Sequence, residues 1–346
     1  MRPSRWTVPA DAWMGLVVVA VAIAIPFFVE SRYMLDEIIL ALIWAGVASQ
    51  WNLLFGYAGV FSLAPMAFFA FGAYATAMLS YYLGWSVWLS IPLGAILCVP
   101  FSVIIGLACL RLQGVYVALL TFAISQMLYL LIVTDTACFQ QTAGSCVQFT
   151  GGATGFADFG DFGMRPLLHR HWMEGNYGIV CVGALLTMLI SWIVIHSPMG
   201  LAFRAIRDNP GYATARGVNR FQTHLLVFGI SAFFIGLLGG LYAVHFQAIS
   251  PTVFSISQLL FIIASVVVGG VGSFWGPLLG AIVLTAADEF LADFGEYRSL
   301  GLGLIITAFV VFLPRGLVGE TIHLIGLVRR KRRQYVVPEC TNQAPK

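Results

Sequence analysis

Charge is what this 346-residue sequence has least of: 10% of its residues are Asp, Glu, Lys or Arg, and 60% are hydrophobic. Soluble globular chains carry about 25% charged residues. The scarcity excludes an ordinary soluble protein and indicates a polytopic membrane chain. Ionisable groups are scarcer still inside the apolar runs. Asp288 and Glu289 lie at the end of one run, and Glu30, Asp36 and Glu37 are interfacial. Carriers driven by H⁺ or Na⁺ typically need such groups within their spans, so their absence argues against ion coupling. G-x-x-x-x-G-K-[ST] is missing, which removes ATP binding through a P-loop. No Ser/His/Asp set sits near a nucleophile turn. His169, His171, Asp158 and Asp161 fit no zinc-ligand spacing. Neither catalysis nor a cofactor is expected. A cleavable signal peptide is not expected either, because the first apolar run is long and no small-residue cleavage site follows it. Nucleic-acid binding has no support beyond a basic tail.

Apolar runs long enough for spans of about 20 residues occur near 12–29, 35–55, 59–82, 86–110, 114–134, 177–196, 225–246, 258–272, 274–291 and 299–318. The eighth and ninth are short and joined by V-G-G-V-G-S-F-W-G-P (268–277). They read as a broken helix pair, a re-entrant turn or one long span. The expected fold is therefore all-α: a polytopic integral membrane bundle of about ten segments, some broken or re-entrant. One transmembrane domain covers 1–325, followed by a basic tail at 326–346.

An even number of spans puts both termini on one side. Sorted that way, 14 of the 18 basic residues fall on the side of the termini and four on the other, namely Arg32, Arg165, Arg170 and Arg298. The acids split oppositely, with only Asp11, Asp208, Glu320 and Glu339 on the basic side. The positive-inside rule assigns that side to the cytoplasm, together with residues 197–224. The tail reads as a stop-transfer anchor on anionic lipid. Residues 135–176 form the largest segment on the opposite side. They are too few for a catalytic domain and enough for a cap over a pore.

Segment 197–224 is the longest polar interruption of the second half. It carries Arg204, Arg207, Arg216 and Arg220 against one acid, Asp208. Two short helices are expected, one begun by Ser197 and Pro198, the other by Asn209 and Pro210. Gly217 sits where a helix end favours positive φ. Arg204 and Asp208, four apart, can pair on one face, and Leu201 and Ile206 can meet a membrane or protein surface. The plainer reading is a basic loop that only sets topology. Residues 56–74, G-Y-A-G-V-F-S-L-A-P-M-A-F-F-A-F-G-A-Y, mix polar and helix-breaking residues inside a span. Pro65 there should break a helix and free carbonyls, which at membrane depth is tolerated only against protein or a cavity. Ser62, Pro65, Phe68 and Tyr74 are thus candidates for a substrate path, with a kinked packing helix as the alternative. The seventh run has small residues at Gly229, Ala232, Gly236, Gly240 and Ala243, a stripe that favours close helix packing.

R-A-I-R-D-N at 204–209, followed by an A-x-x-x-G-V-N that ends at Asn219, resembles the cytoplasmic loop of bacterial ABC-importer permeases of the branched-chain amino-acid class. Further words resemble the same family in its order: 56–74, T-G-G-A-T-G-F at 150–156, L-Y-A-x-x-F-x-x-I-S-P-x-x-F at 241–254 and G-G-V-G-S-F-W-G-P-L-L-G at 269–280. Val60, Ala64 and Pro65 depart from the family's usual Gln, Gly and His, so polar roles of those side chains do not carry over. The resemblance covers about residues 35 to 320 and implies the M-type subunit of that class. It implies half of a translocation pore in a bacterial inner membrane. The implied partners are a second, homologous permease, two cytoplasmic ATPases and a periplasmic substrate-binding protein. The loop's implied role is coupling to the ATPase, through Arg204, Arg207, Asp208, Asn209, Gly217 and Asn219. The implied substrates are leucine, isoleucine and valine. Urea or short amides within the family, and an ion-coupled carrier or passive channel outside it, are the alternatives. Cys138 and Cys146, eight apart in the segment assigned to the oxidising periplasm, are candidates for a disulfide. Cys98, Cys109, Cys181 and Cys340 are expected to stay reduced.

Overall fold

The computed structural model describes residues 8–29, 31–109, 112, 114–142, 145–313 and 316–321. In a lipid core the backbone must satisfy its own hydrogen bonds, and most of the described residues in the ten apolar runs are accordingly helical. In chain order the helices are α1 (Val8–Phe28), α2 (Arg32–Asn52), α3 (Pro65–Leu83), α4 (Val87–Cys109), α5 (Val115–Val133), α6 (Met164–Leu168), α7 (Trp172–His196), α8 (Pro198–Asp208), α9 (Pro210–Ala215), α10 (Arg220–Phe246), α11 (Ile256–Gly269), α12 (Gly276–Phe290) and α13 (Arg298–Phe312). Seven helices among the described residues are long and apolar enough to cross a membrane: α2, α3, α4, α5, α7, α10 and the one that begins at Arg298. α11 and α12, with 14 and 15 residues, span about 21 and 22 Å, short of the roughly 30 Å hydrocarbon core. They pack side by side around a turn at 270–275, the broken pair among the three readings of that stretch.

α10 is wedged between α3 and α4, and the small-residue stripe is what permits it. A Cβ on Gly72 would fall 2.3 Å from the Gly236 carbonyl oxygen, and one on Gly236 2.4 Å from Cys98 Sγ. α2 runs through the centre, against α7, α10, α11 and α12, and its Ile39, Ile43, Val47 and Trp51 are fully buried. α5 and α13 instead leave large apolar side chains on the surface, among them Leu119, Leu131, Leu300 and Leu304.

Two ends of the bundle are defined by contacts. At one end Tyr33 donates to Glu289 (3.0 Å), Arg298 clamps Asp288 (2.6 and 2.7 Å) and His245 meets Asp36 (2.9 Å). At the other end lie α8, α9, residues 53–64 and the 270–275 turn. Both described ends of the chain reach this second end. Gly15 of α1 lies against Trp275, and Gly316, beyond α13, lies against Gly270.

The cap contains a hairpin, β1 (Cys138–Thr142) with β2 (Ser145–Gln148), and β3 (Phe156–Ala157) pairs with β4 (Ala248–Ile249) just after α10. The T-G-G-A-T-G-F word serves this docking. Thr150 donates through N–H and Oγ1 to Asp135 Oδ2, both at 2.7 Å. Gly155 has φ +79°, and a Cβ there would lie 1.9 Å from the Ile249 carbonyl oxygen. No side chain fits between the cap and β4 at that point.

One boundary differs from the sequence expectation. The run at 59–82 does not start as a helix: α2 ends in a π-helical turn, Leu53–Tyr57, and α3 begins only at Pro65. Pro65 opens the helix, where its missing N–H costs nothing. The irregular stretch before it is held by Trp51 Nε1–H donating to the Ser62 carbonyl (2.7 Å) and by Leu63 N–H donating to Thr121 Oγ1 (2.8 Å).

Candidate functional site

The elbow at 197–224 folds as the two expected helices, α8 and α9, joined by an extended residue, Asn209. Pro198 and Pro210 start them. Asn209 Oδ1 accepts from Tyr212 N–H at 3.0 Å, and Asn219 caps α10 by accepting from Gln222 N–H at 3.3 Å. Gly217 has φ +87°. Ser197 is not a side-chain cap; its hydroxyl donates back to the Val194 carbonyl (2.7 Å).

The arginines differ from the i,i+4 expectation. Arg204 does not pair with Asp208. Its Nε donates to the Gly200 carbonyl (3.1 Å) and its Nη2 to the Ile195 carbonyl (2.8 Å), the latter at the C-terminal end of α7. The Ile195 carbonyl, among the last unpaired carbonyls of α7, attracts the guanidinium, and together with the Gly200 carbonyl of α8 it outcompetes a solvated carboxylate. Asp208 pairs instead with Arg207 (3.1 Å). Arg207 Nη1 also donates to the Gly56 carbonyl, at the π turn that ends α2. Both arginines therefore anchor the elbow to the bundle. Ile206 is buried, whereas Met199, Leu201, Tyr212 and Arg216 face outward. Arg216 stacks 5.2 Å over the Tyr212 ring and donates to its hydroxyl (2.7 Å). The elbow is thus a rigid, inward-bolted unit with an outer face centred on Tyr212 and Arg216, residues no motif had singled out for a role.

The four path candidates divide. Ser62 is fully buried, and its Oγ accepts from Ala64 N–H (3.2 Å). Pro65 and Phe68 are also buried, with Phe68 edge-on to Phe101 and Phe228. Next to Phe156 and Phe254, Tyr74 lines a cleft of about 710 Å³ between α3, α5 and the cap, walled by Phe71, Met78, Leu128, Phe139 and Phe149. This cleft is almost wholly apolar and suits a hydrocarbon group rather than an ion.

A residue outside every quoted motif ties these regions together. Asn52, buried at the end of α2, accepts from Gly272 N–H and donates to the Ser273 carbonyl, both at 2.8 Å. It clamps the turn between α11 and α12 with both ends of its amide. The available signal was a pair of amides, Gln50 and Asn52, inside an apolar run. Gln50 is buried too, donating to Ser191 Oγ (2.8 Å).

Cys138 is disulfide-bonded. Cys146 stands on β2 opposite Gln141, and its side chain lies outside the described residues. Cys98, Cys109 and Cys181 are free and buried, as expected, and Cys340 lies outside the described residues.

Residues 33–313 match the family described as branched-chain amino acid transport system / permease component. The high-affinity branched-chain amino acid transport system permease protein LivM of Salmonella typhimurium is 29% identical over 332 residues, covering 89% of this chain and 74% of that protein. LivM of Escherichia coli K12 is 28% identical over 88% of this chain and 74% of its own length. LivH of Salmonella typhimurium, a permease protein of the same named system, is 24% identical over 46% of this chain and 56% of its own. No solved structure is significantly similar. The match extends from the start of α2 to the end of α13, through the elbow, the Gly-rich turn and the cleft, and the chain belongs to the branched-chain amino acid transport system permease family.

Proposed function

We propose that this chain is the M-type permease subunit of an ABC importer that carries leucine, isoleucine or valine across a bacterial inner membrane. The family match across 33–313 carries the reading. The chain is a transport component and not an enzyme; ATP is hydrolysed by separate subunits. Its partners are a second, homologous permease, two cytoplasmic ATPases and a periplasmic binding protein. That LivM and LivH are both permease proteins of one named system supports the permease pair.

Both termini and the elbow are cytoplasmic in this reading, and 135–176 is periplasmic. The supporting observations are the split of basic residues and the arrival of both described chain ends at the elbow end of the bundle. A bridge between Cys138 and Cys146 closes the cap hairpin on the oxidising side. The elbow takes up force from the ATPase through its outer face, while Arg204 and Arg207 fix it to α7 and to the π turn. A flexible loop would absorb that motion; capped helices pass it on. Tyr74 and the apolar cleft beside it lie along the path of the aliphatic side chain.

The test is uptake of radiolabelled leucine by cells with and without the cognate ATPase, with urea and acetamide as competitors. Loss of uptake without the ATPase, and no competition by the amides, is the expected result. Uptake that persists without the ATPase means a carrier or channel, and strong competition by the amides means the wrong substrate class.

A further inference from the structure

Hydrogen bonds and close packing together join the elbow to the broken helix pair, and Arg207 itself lies beside the turn, its Nη1 3.5 Å from where a Cβ on Gly272 would sit. Arg207 of α8 donates to the Gly56 carbonyl. The stem of Arg207 lies on Gly59, where an added Cβ would come 2.6 Å from Arg207 Cγ. Gly56 in turn touches Asn52 and the 270–275 turn at once: a Cβ there would be 2.1 Å from Asn52 Oδ1 and 2.7 Å from Gly272 N. Asn52 then grips Gly272 and Ser273. Gly56 and Asn52 are buried, Gly272 and Ser273 are half-buried, and Arg207 is exposed on the elbow. The middle link is a π turn, a helical form frequent at functional sites. The last is a turn with φ +118° at Gly270 and +74° at Gly272, joining two helices that are each too short to cross the bilayer. Short helices on a glycine-rich turn are the part of this bundle least held by their own length.

We propose that Arg207, Gly56 and Asn52 form a relay that passes movement of the elbow to the α11–α12 turn, with Asn52 as a positioning residue of the transport cycle. The relay rests on the importer reading above. Such a role needs a two-state element biased from both sides, and the turn is that element. When the ATPase pushes on the elbow, the Gly56 carbonyl moves with Arg207, and the Asn52 amide carries Gly272 and Ser273 along. Nothing else bonded to the elbow reaches this turn among the described residues: Arg204 leads back to α7.

The experiment uses the complete reconstituted transporter with Cys340→Ser and Val271→Cys. Val271 is 47% exposed at the turn, while Cys98, Cys109 and Cys181 are buried. The thiol labelling rate at residue 271 is compared between nucleotide-free and ATP-trapped complex. The expected change is at least about fivefold, the low end of typical coupling between sites. Asn52→Ala and Arg207→Gln should collapse it below about twofold and lower leucine moved per ATP hydrolysed. Arg207→Lys, which keeps one donor for the Gly56 carbonyl, should restore part of the change. A labelling rate independent of nucleotide in a complex that transports leucine overturns the relay without any further variant. An unaltered change in Asn52→Ala overturns Asn52's part in it. A complex with no ATP-dependent uptake at all refutes the importer reading first and the relay with it, so the two failures are distinguishable.

Discussion

Replacing Gly56 by alanine tests the junction with the smallest possible probe. The added methyl would lie 2.1 Å from Asn52 Oδ1 and 2.7 Å from Gly272 N. Neither neighbour is the loose end of a long side chain: one is a buried amide bonded at both ends, the other is backbone. Accommodating the methyl by overpacking costs about 1–3 kcal/mol. Pushing Asn52 aside leaves the half-buried Gly272 N–H unpaired, up to about 1–3 kcal/mol by itself. The two routes share the same atoms and do not add fully, so a loss of about 2–4 kcal/mol is expected. Gly211→Ala is the matched control. It lies in α9 on the exposed face, and its new Cβ would meet only Asn209 Oδ1 at 3.6 Å. There the helical preference for alanine should leave stability unchanged or raised by up to about 1 kcal/mol. Thermal unfolding of the purified protein in detergent, with leucine uptake measured in parallel, is the assay. Gly56→Ala should lower the midpoint and the uptake, and Gly211→Ala should lower neither. Equal midpoints for Gly56→Ala and wild type would refute the packed junction.

Four other outcomes are expected. Replacing Asn209 and Pro210 by glycines weakens the cap by only about a few tenths of a kcal/mol but removes the fixed bend of the elbow. Expression should persist while transport and substrate-stimulated ATPase fall together, and full transport in vesicles would leave α8 and α9 as a basic loop that only sets topology. Single cysteines at the exposed Phe149 and Tyr212 should react with an impermeant thiol reagent from opposite faces of the membrane, and labelling of residue 212 from outside intact cells would invert the orientation. Tyr74→Ala enlarges the apolar cleft and should alter the relative uptake of leucine and valine; an unchanged ratio removes Tyr74 from the path. Mass spectrometry of unreduced protein should find Cys138 and Cys146 in one linked peptide pair, a closure worth about 2–3 kcal/mol at most for so short a loop; two free thiols there would end the pairing.

Much of the fold was legible because lipid imposes strict rules. The apolar runs had to be mostly helical, and the small residues of α10 announced close packing before any partner was known. The elbow was legible from its caps: Asn209, Pro210 and Asn219 act locally, within three residues of their own position. What escaped were contacts across long sequence distances. The i,i+4 rule paired Arg204 with Asp208 because it describes an isolated helix in water, whereas α8 lies against the end of α7, whose last carbonyls need donors. The Arg207 bond to Gly56 spans 151 positions and the Asn52 clamp 220 or more, and no local spacing encodes either. The path candidates illustrate the same point. Ser62 reads as a polar residue in a span, yet its polarity satisfies the backbone just before α3. A tryptophan there meets a fully buried site, so Ser62→Trp should reduce folded protein rather than plug a channel.

Leucine accumulation in sealed vesicles holding this chain, its homologous partner, the two ATPases and the binding protein decides whether ATP drives the import. The expected result is accumulation that requires ATP and the ATPases and survives collapse of the proton and sodium gradients. Accumulation that follows an ion gradient, or equilibration without ATP, would contradict it.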